Sequence, residues 1–219
     1  MRTEIIDGVH VVHLGDGGNS VDEGLLTGLE GALDAIDADP EARGIVTIGD
    51  GKAYSQGYDL EAFGKFEGFA LQAFIDRSVR LLARFVAAPV PTVAALNGHA
   101  FGYGAMLALA HDQRAQREDR GWFCLPEADL GLQFHALQLA LIQAKLPTAV
   151  VTESILGARR WDGPAALEAG IADAIAPEDG LVAAAVGLVL ARAGKGRDIV
   201  SALKRDLFAG VLALTPASD

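Results

Sequence analysis

The sequence predicts an α/β fold, in which helices pack on a sheet. Short β-branched runs alternate along the chain with longer segments whose apolar residues recur at helical spacing. Glycine-rich turns join two of these strands to the segments that follow them. Strands that alternate with helices are typical of sheets covered by helices, so the alternation indicates the α/β class. With 219 residues, 51% of them hydrophobic, the chain is long enough to bury a sizeable core.

The first half of the chain supplies strands and helices in turn. The predicted elements are an N-terminal strand or hairpin over 4–14, a helix over 21–38, a strand over 44–48, a helix over 69–86 and a strand over 92–96. Asp7-Gly8 interrupts the first β-branched run as a turn would. Asp39-Pro40 ends the first helix, because proline cannot continue one.

The second half is predicted to be mainly helical. Its elements are a helix over 105–110, a strand over 122–125, and helices over 136–146 and 148–157. No linker or low-complexity segment divides the chain. We therefore expect a single domain over 1–219, with a core over about 1–177 and a C-terminal helical part over about 178–219.

Charge and composition exclude several functional classes. The chain carries 18 Lys+Arg against 29 Asp+Glu, a formal charge of −11, whereas nucleic-acid binding needs a basic face. No apolar run reaches the 18 or so residues that a membrane span requires. A single cysteine, Cys124, cannot form an internal disulfide or a multi-cysteine zinc site. With no signal-peptide pattern at the N-terminus, we expect a cytoplasmic protein without nucleic-acid or membrane partners.

Two strand-to-helix turns carry the clearest chemical signal. Residues 55–60 (SQGYDL) and 97–104 (NGHAFGYG) place glycines where the backbone turns tightly and where a helix start leaves N–H groups without internal partners. Two such turns brought together could donate two hydrogen bonds to one oxygen, as an oxyanion hole does. Neither turn has the spacing of a phosphate-binding loop. From the residues alone, two merely tight turns remain an alternative.

Four segments in order resemble the crotonase superfamily of enoyl-CoA hydratases and isomerases. They are GKAYSQGYDL, VAALNGHAFGYGAMLALAHD, LPEADLGL and LGARRWDGPAALEAGIADAIAP, spread over most of residues 4–177. The resemblance implies a ClpP-like spiral of β-β-α units with C-terminal helices. It also implies an acyl-CoA thioester substrate, no metal or redox cofactor, and assembly as a homotrimer or dimer of trimers.

The resemblance assigns roles to a few residues by position. The backbone N–H groups of Tyr58 and Tyr103 would form the oxyanion hole, and Glu127 would be the acid/base. Family hydratases hold water with two glutamates, but the position of the first is Met106 here. His135 lies where dienoyl-CoA isomerases carry a proton-transferring aspartate; a structural histidine is the alternative. Lys52, Gln56, Gly57, Asp59 and Leu60 form the expected acyl-CoA-binding set.

A single glutamate favours the Δ3-Δ2-enoyl-CoA isomerase branch, in which one carboxylate moves a proton between two carbons. Apolar neighbours (Leu125, Leu130 and Leu132) would desolvate Glu127 and raise its pKa. We therefore predict an isomerase of fatty-acid metabolism. Enoyl-CoA hydratase is the first alternative, and a non-catalytic acyl-CoA-binding homologue is the second.

Overall fold

Two β-sheets organise the chain, which a computed structural model describes over residues 1–59, 61 and 68–217. The strands are β1 (Arg2–Ile6), β2 (Val9–His13), β3 (Gly44–Ile48), β4 (Ala53–Ser55), β5 (Thr92–Leu96), β6 (His99–Phe101), β7 (Gln113–Arg117), β8 (Phe123–Cys124) and β9 (Ala174–Ala176). The main sheet has the order β1-β2-β3-β5-β7-β9, and the small sheet has the order β4-β6-β8. β1 and β2 are antiparallel, and the other pairs are parallel.

Strands of the two sheets alternate along the chain. β3 leads into β4, β5 into β6 and β7 into β8, so each of these three main-sheet strands is followed by a small-sheet strand. A helix follows β6 and another follows β8 directly, which completes a β-β-α unit each time. The α/β class and the repeating unit predicted from the sequence are confirmed.

Helices cover both faces of the main sheet. They are α1 (Glu23–Ala38), α2 (Phe69–Val86), α3 (Tyr103–Ala110), α4 (Glu127–Leu130), α5 (Ala136–Lys145), α6 (Thr148–Leu156), α7 (Gly163–Glu168), α8 (Leu181–Leu190), α9 (Arg197–Leu207) and α10 (Ala209–Leu212). The apolar side of α8 packs on one face of the sheet, and the larger cluster around α1, α2 and α3 lies on the other. None of the described helices is both long and apolar enough to cross a membrane.

The predicted elements match the structure except where the chain turns between the sheets. α3 begins at Tyr103 rather than 105, the 122–125 strand shortens to β8, and the short strands β4 and β6 lie inside stretches that the sequence indicates as turns. β7 was not predicted, because its sequence, QRAQR, is polar although all five residues are buried. Arg114 of β7 forms an ion pair with Asp173 and donates to the carbonyl of Ile171, partners that lie more than 50 residues away.

Asn97 joins the start of the second glycine-rich turn to the loop between β3 and β4. Its side-chain oxygen accepts a hydrogen bond from the N–H of Gly49 at 2.9 Å, and its side-chain nitrogen donates to the carbonyl of Gly51 at 2.9 Å. The next residue, Gly98, passes so close that an added Cβ would lie 2.1 Å from the carbonyl oxygen of Lys52. The second turn is therefore held against the loop that leads into β4.

Candidate active site

The first turn sets the orientation of the peptide group between Gly57 and Tyr58. The carbonyl of Gly57 accepts a hydrogen bond from the N–H of Val21 at 2.9 Å. Because a trans peptide is planar, the N–H of Tyr58 points away from Val21. Gly57 has a φ of +82°, and an added Cβ would lie 2.7 Å from the oxygen of Phe101 and 3.2 Å from the nitrogen of Tyr103. The first turn therefore runs directly past the backbone of the second.

The second turn presents the N–H of Tyr103. Gly102 has a φ of +52° and donates its own N–H to the carbonyl of Cys124 at 3.0 Å. Tyr103 is the first residue of α3, and an N–H at this position has no acceptor within the helix. The Tyr103 side chain is buried, and its hydroxyl donates to the carbonyl of Ser78 at 2.7 Å. The turn thus accommodates the large side chain of Tyr103 in the core.

The Tyr58 side chain lies in a hydrogen-bonded chain. Its hydroxyl is 2.6 Å from Oγ of Ser78. Since the Ser78 hydroxyl donates its hydrogen to the carbonyl of Ile75 at 2.7 Å, the phenol is the donor to Ser78. The side chain of Gln138 also hydrogen bonds the phenol. Burial raises the pKa of Tyr58 well above its usual value, so the phenol stays protonated and anchors the residue.

Glu127 is a buried carboxylate beside the second turn. It begins α4 directly after Pro126, and it is only 8% exposed. A Cβ added to Gly102 would lie 3.4 Å from Oε1 of Glu127, so the carboxylate adjoins the residue before Tyr103. Oε2 is buried without a hydrogen-bond partner among the described residues. Burial raises the pKa of Glu127 to about 7, the direction that the sequence predicts.

The surroundings of Glu127 differ in part from those expected. Leu125 is buried, but Leu130 and Leu132 are each 50% exposed. Asp129, two residues further on in α4, is exposed. Residues from other elements therefore complete the burial of the carboxylate, as the lining of the adjoining cavity shows.

A cavity of about 350 Å³ opens beside Glu127. Its described lining consists of Tyr58, Gln72, Ile75, Met106, Glu127, Leu132, Gln133, Phe134, His135 and Gln138. Among these residues Glu127 is the sole carboxylate. Met106 is 2% exposed on α3, and its thioether can neither ionise nor act as a strong hydrogen-bond partner for water. The cavity therefore offers one carboxylate, together with the imidazole of His135, in a mainly uncharged setting.

His135 lines the same cavity and also caps a helix. Its Nδ1 accepts a hydrogen bond from the N–H of Leu137 at 3.1 Å, and its own N–H donates to Gln138 at 2.9 Å, which together form a capping box at the start of α5. The capping box therefore gives His135 a structural role, which was the alternative to a role in proton transfer. Only Nε2 is left to act on a ligand, because Nδ1 is occupied.

Comparison with known proteins places the chain in a family. The model of the enoyl-CoA hydratase/isomerase family matches residues 4–216 of the chain. The chain belongs to the enoyl-CoA hydratase/isomerase family. Its predicted identity as a crotonase-superfamily enzyme is thereby confirmed.

Relatives within the family include isomerases and dehydratases. Enoyl-CoA delta isomerase 2, peroxisomal, from Arabidopsis thaliana is 33% identical over 183 residues, which cover 78% of this chain and 76% of that protein. Carnitinyl-CoA dehydratase from Citrobacter koseri is 35% identical over 76% of this chain and 63% of that protein. A crystal structure of a probable enoyl-CoA hydratase from Mycobacterium tuberculosis has a TM-score of 0.90 and 25% identity, covering 98% of this chain and 90% of that one.

The acyl-CoA-binding set predicted from the family resemblance lies along β4 and the turn after it. Gln56, Gly57 and Asp59 follow β4, whereas Lys52 is exposed at its start. None of these four is among the described residues that line the cavity. Leu60 lies outside the described residues.

Three polar residues of the cavity were not predicted from the sequence: Gln72, Gln133 and Gln138. Gln138 carries a local signal, because it lies three residues after His135, the spacing of a capping box. Gln72 lies three residues before Ile75 on α2, so both project from one helix face. In the described ranges, no three His, Cys, Asp or Glu side chains gather where they could hold a metal ion.

Proposed function

We propose that this member of the enoyl-CoA hydratase/isomerase family is a Δ3-Δ2-enoyl-CoA isomerase of fatty-acid metabolism. The observation that carries the proposal is the pairing of one buried carboxylate, Glu127, with Met106 in the same cavity. A single base that can both take and return a proton is sufficient for moving a double bond. The isomerase relatives from Arabidopsis thaliana support this branch of the family.

In the proposed mechanism Glu127 shuttles one proton. Its carboxylate removes a proton from C2 of a 3-enoyl thioester, and the electron pair moves into a dienolate whose charge rests on the thioester oxygen. The backbone N–H groups of Tyr58 and Tyr103 donate to that oxygen, a type of stabilisation worth about 3–4 kcal/mol per donor. The protonated Glu127 then delivers the proton to C4, which leaves the double bond between C2 and C3. The step needs no metal or redox cofactor.

The burial of Glu127 suits this shuttle. A pKa of about 7 lets the carboxyl group accept and release a proton at neutral pH with little bias toward either state. The unpartnered Oε2 is the oxygen available to meet the substrate. The uncharged lining around it suits an acyl chain rather than a charged substituent.

A side-by-side assay tests the proposal. Purified protein is given a 3-enoyl-CoA and, separately, the matching trans-2-enoyl-CoA. We expect isomerisation of the first and little hydration of the second, because no second glutamate stands where family hydratases hold water. Hydration with a comparable kcat/KM would contradict the proposal, and so would the absence of turnover on both substrates while acyl-CoA still binds.

Hydration is the second candidate because His135 and Gln133 line the cavity together with Glu127. Nε2 of His135 and the amide of Gln133 could hold a water molecule in place of the missing glutamate. In that case, substitution of His135 by Asn, which retains a capping side chain, would abolish hydration selectively.

We also propose the homotrimer, or dimer of trimers, that the family resemblance implies. Light scattering on the protein eluting from a size-exclusion column measures its molar mass directly. We expect three or six times the mass of one chain. A mass equal to that of one chain over the micromolar range would contradict this assembly.

The single domain and the cytoplasmic location stay predictions. For the domain, both apolar clusters pack on the same main sheet, which supports one cooperative unit. For the location, two of the Arabidopsis thaliana relatives are peroxisomal by name, so cell fractionation has two compartments to compare.

A further inference from the structure

A second cavity, of about 440 Å³, lies at the opposite edge of the main sheet. Pro91 and Asp112, which line it, immediately precede the amino ends of β5 and β7. The second turn of the candidate active site instead follows the carboxyl end of β5, and the loop that it contacts follows the carboxyl end of β3. Because these strands are parallel, the two cavities lie at opposite edges of the sheet, and α3 runs from one edge to the other.

Cations dominate the lining of this amino-edge cavity. Lys145, Arg192, Lys195 and Lys204 face it together with a single carboxylate, Asp112. Lys204 pairs with Asp112 at 2.6 Å. None of the other three forms an ion pair with a carboxylate in the part of the chain that is described. In a chain with a net charge of −11, three uncompensated cations around one cavity are a marked local excess.

Lys145 is the central group of this cluster. Its ammonium donates to the carbonyl of His111 at 3.0 Å and lies 4.3 Å from the centre of the Phe208 ring. A lysine ammonium has three hydrogens to donate, so the described contact with His111 uses only one of them. Burial lowers the pKa of Lys145 to about 8, since the nearby carboxylate of Asp112 compensates only in part. An anion in the cavity would supply the missing counter-charge.

We propose that the amino-edge cavity binds a phosphate monoester of a small organic molecule. Two or three cations that converge on one cavity match the two negative charges of a phosphate better than the single charge of a carboxylate. Phe208, Leu207 and Val200 supply an apolar wall for the organic part. The volume exceeds what inorganic phosphate alone would fill.

Calorimetric titration of the full chain with phenyl phosphate tests the proposal. We expect binding to the wild-type protein and at least tenfold weaker binding to Lys145→Gln. Arg192→Gln, which removes an exposed cation of the cavity, is a second variant in case Lys145→Gln fails to fold. Arg205→Gln is the matched control, because Arg205 follows Lys204 on α9 but does not line this cavity. The affinity of Arg205→Gln for phenyl phosphate is expected to equal that of the wild-type protein.

The source of the phosphate is settled by competition. Displacement of phenyl phosphate by coenzyme A would identify the phosphates of coenzyme A as the natural ligand group, and no displacement would identify another organic phosphate; both results support the site. Equal affinity in the wild type, Lys145→Gln and Arg192→Gln would overturn it, as would no binding to the wild type. Isomerase activity of the variants separates this result from a failure of the proposed function.

Discussion

Glu127→Gln is expected to lower kcat/KM for isomerisation by about 10²- to 10⁴-fold, the usual contribution of a positioned acid/base group. The amide keeps the size of the side chain but can neither accept nor return the proton. Binding of a non-reactive acyl-CoA should change little, because the thioester oxygen is held by backbone N–H groups in the proposed site. Steady-state kinetics and calorimetric titration with the same variant separate the two effects.

Asp129→Asn is the matched control for this variant. It removes a carboxylate from the same short helix, two residues further on, but from an exposed side chain. We expect nearly unchanged activity. Equal loss in both variants would indicate a general effect on α4, and full activity of Glu127→Gln would exclude Glu127 as the shuttle.

The pH profile gives the same prediction a second readout. The reaction begins with ionised Glu127, and burial raises its pKa to about 7. In the wild type, kcat/KM should therefore fall as the pH is lowered through about 7, because the fraction of ionised base decreases. The residual activity of Glu127→Gln should lack this limb, which measurements between pH 5 and 9 would detect.

Gly57→Ala is expected to lower kcat/KM by about 10²- to 10³-fold, the range for loss of one oxyanion donor. The new Cβ would lie 2.7 Å from the carbonyl oxygen of Phe101, a backbone atom that cannot rotate away. The turn must then move, and the peptide that carries the N–H of Tyr58 moves with it. The substitution therefore separates the two donors that the site brings together.

The effect of backbone strain alone on activity has to be distinguished from the effect of moving the turn. Alanine at a positive φ costs about 1–2 kcal/mol wherever it occurs. Gly194→Ala is the matched control, since Gly194 has a φ of +83° but nothing within 4 Å of the added Cβ. Thermal denaturation should show a loss of stability in both variants, larger in Gly57→Ala because of the added clash, with activity lost only in Gly57→Ala. Full activity of Gly57→Ala would contradict the assigned oxyanion hole.

The sequence predicted those parts of the fold that follow from local pattern. Three predicted elements have the observed bounds: the helix over 69–86 is α2, and the strands over 44–48 and 92–96 are β3 and β5. In each of them a single hydrophobic pattern has clear ends. β7 could not be predicted in this way. Its buried Arg114 depends on Asp173 and on the carbonyl of Ile171, which only the folded chain brings near.

The candidate site likewise has some features that the sequence predicts and others that depend on contacts between distant parts of the chain. The resemblance supplied Glu127 and the two tyrosine positions, and desolvation of the carboxylate followed from its apolar neighbours. The hydrogen bonds of Tyr58 with Ser78 and Gln138 could not be predicted, because they join a turn to two distant helices. The capping role of His135 also depends on where α5 begins, and helix ends are the least certain feature of any sequence pattern.

Helix α3 adds an electrostatic contribution that depends on no side chain. The aligned peptide dipoles of a helix place about half a positive elementary charge at its amino end and half a negative one at its carboxyl end. Tyr103 stands at the first end, and the His111 carbonyl that accepts from Lys145 stands just beyond the second. One helix thus favours negative charge, such as that of the proposed enolate, at one edge of the sheet and the lysine ammonium at the other. The side chain at position 106, a methionine here, can therefore vary while the field at the amino end of α3 is retained.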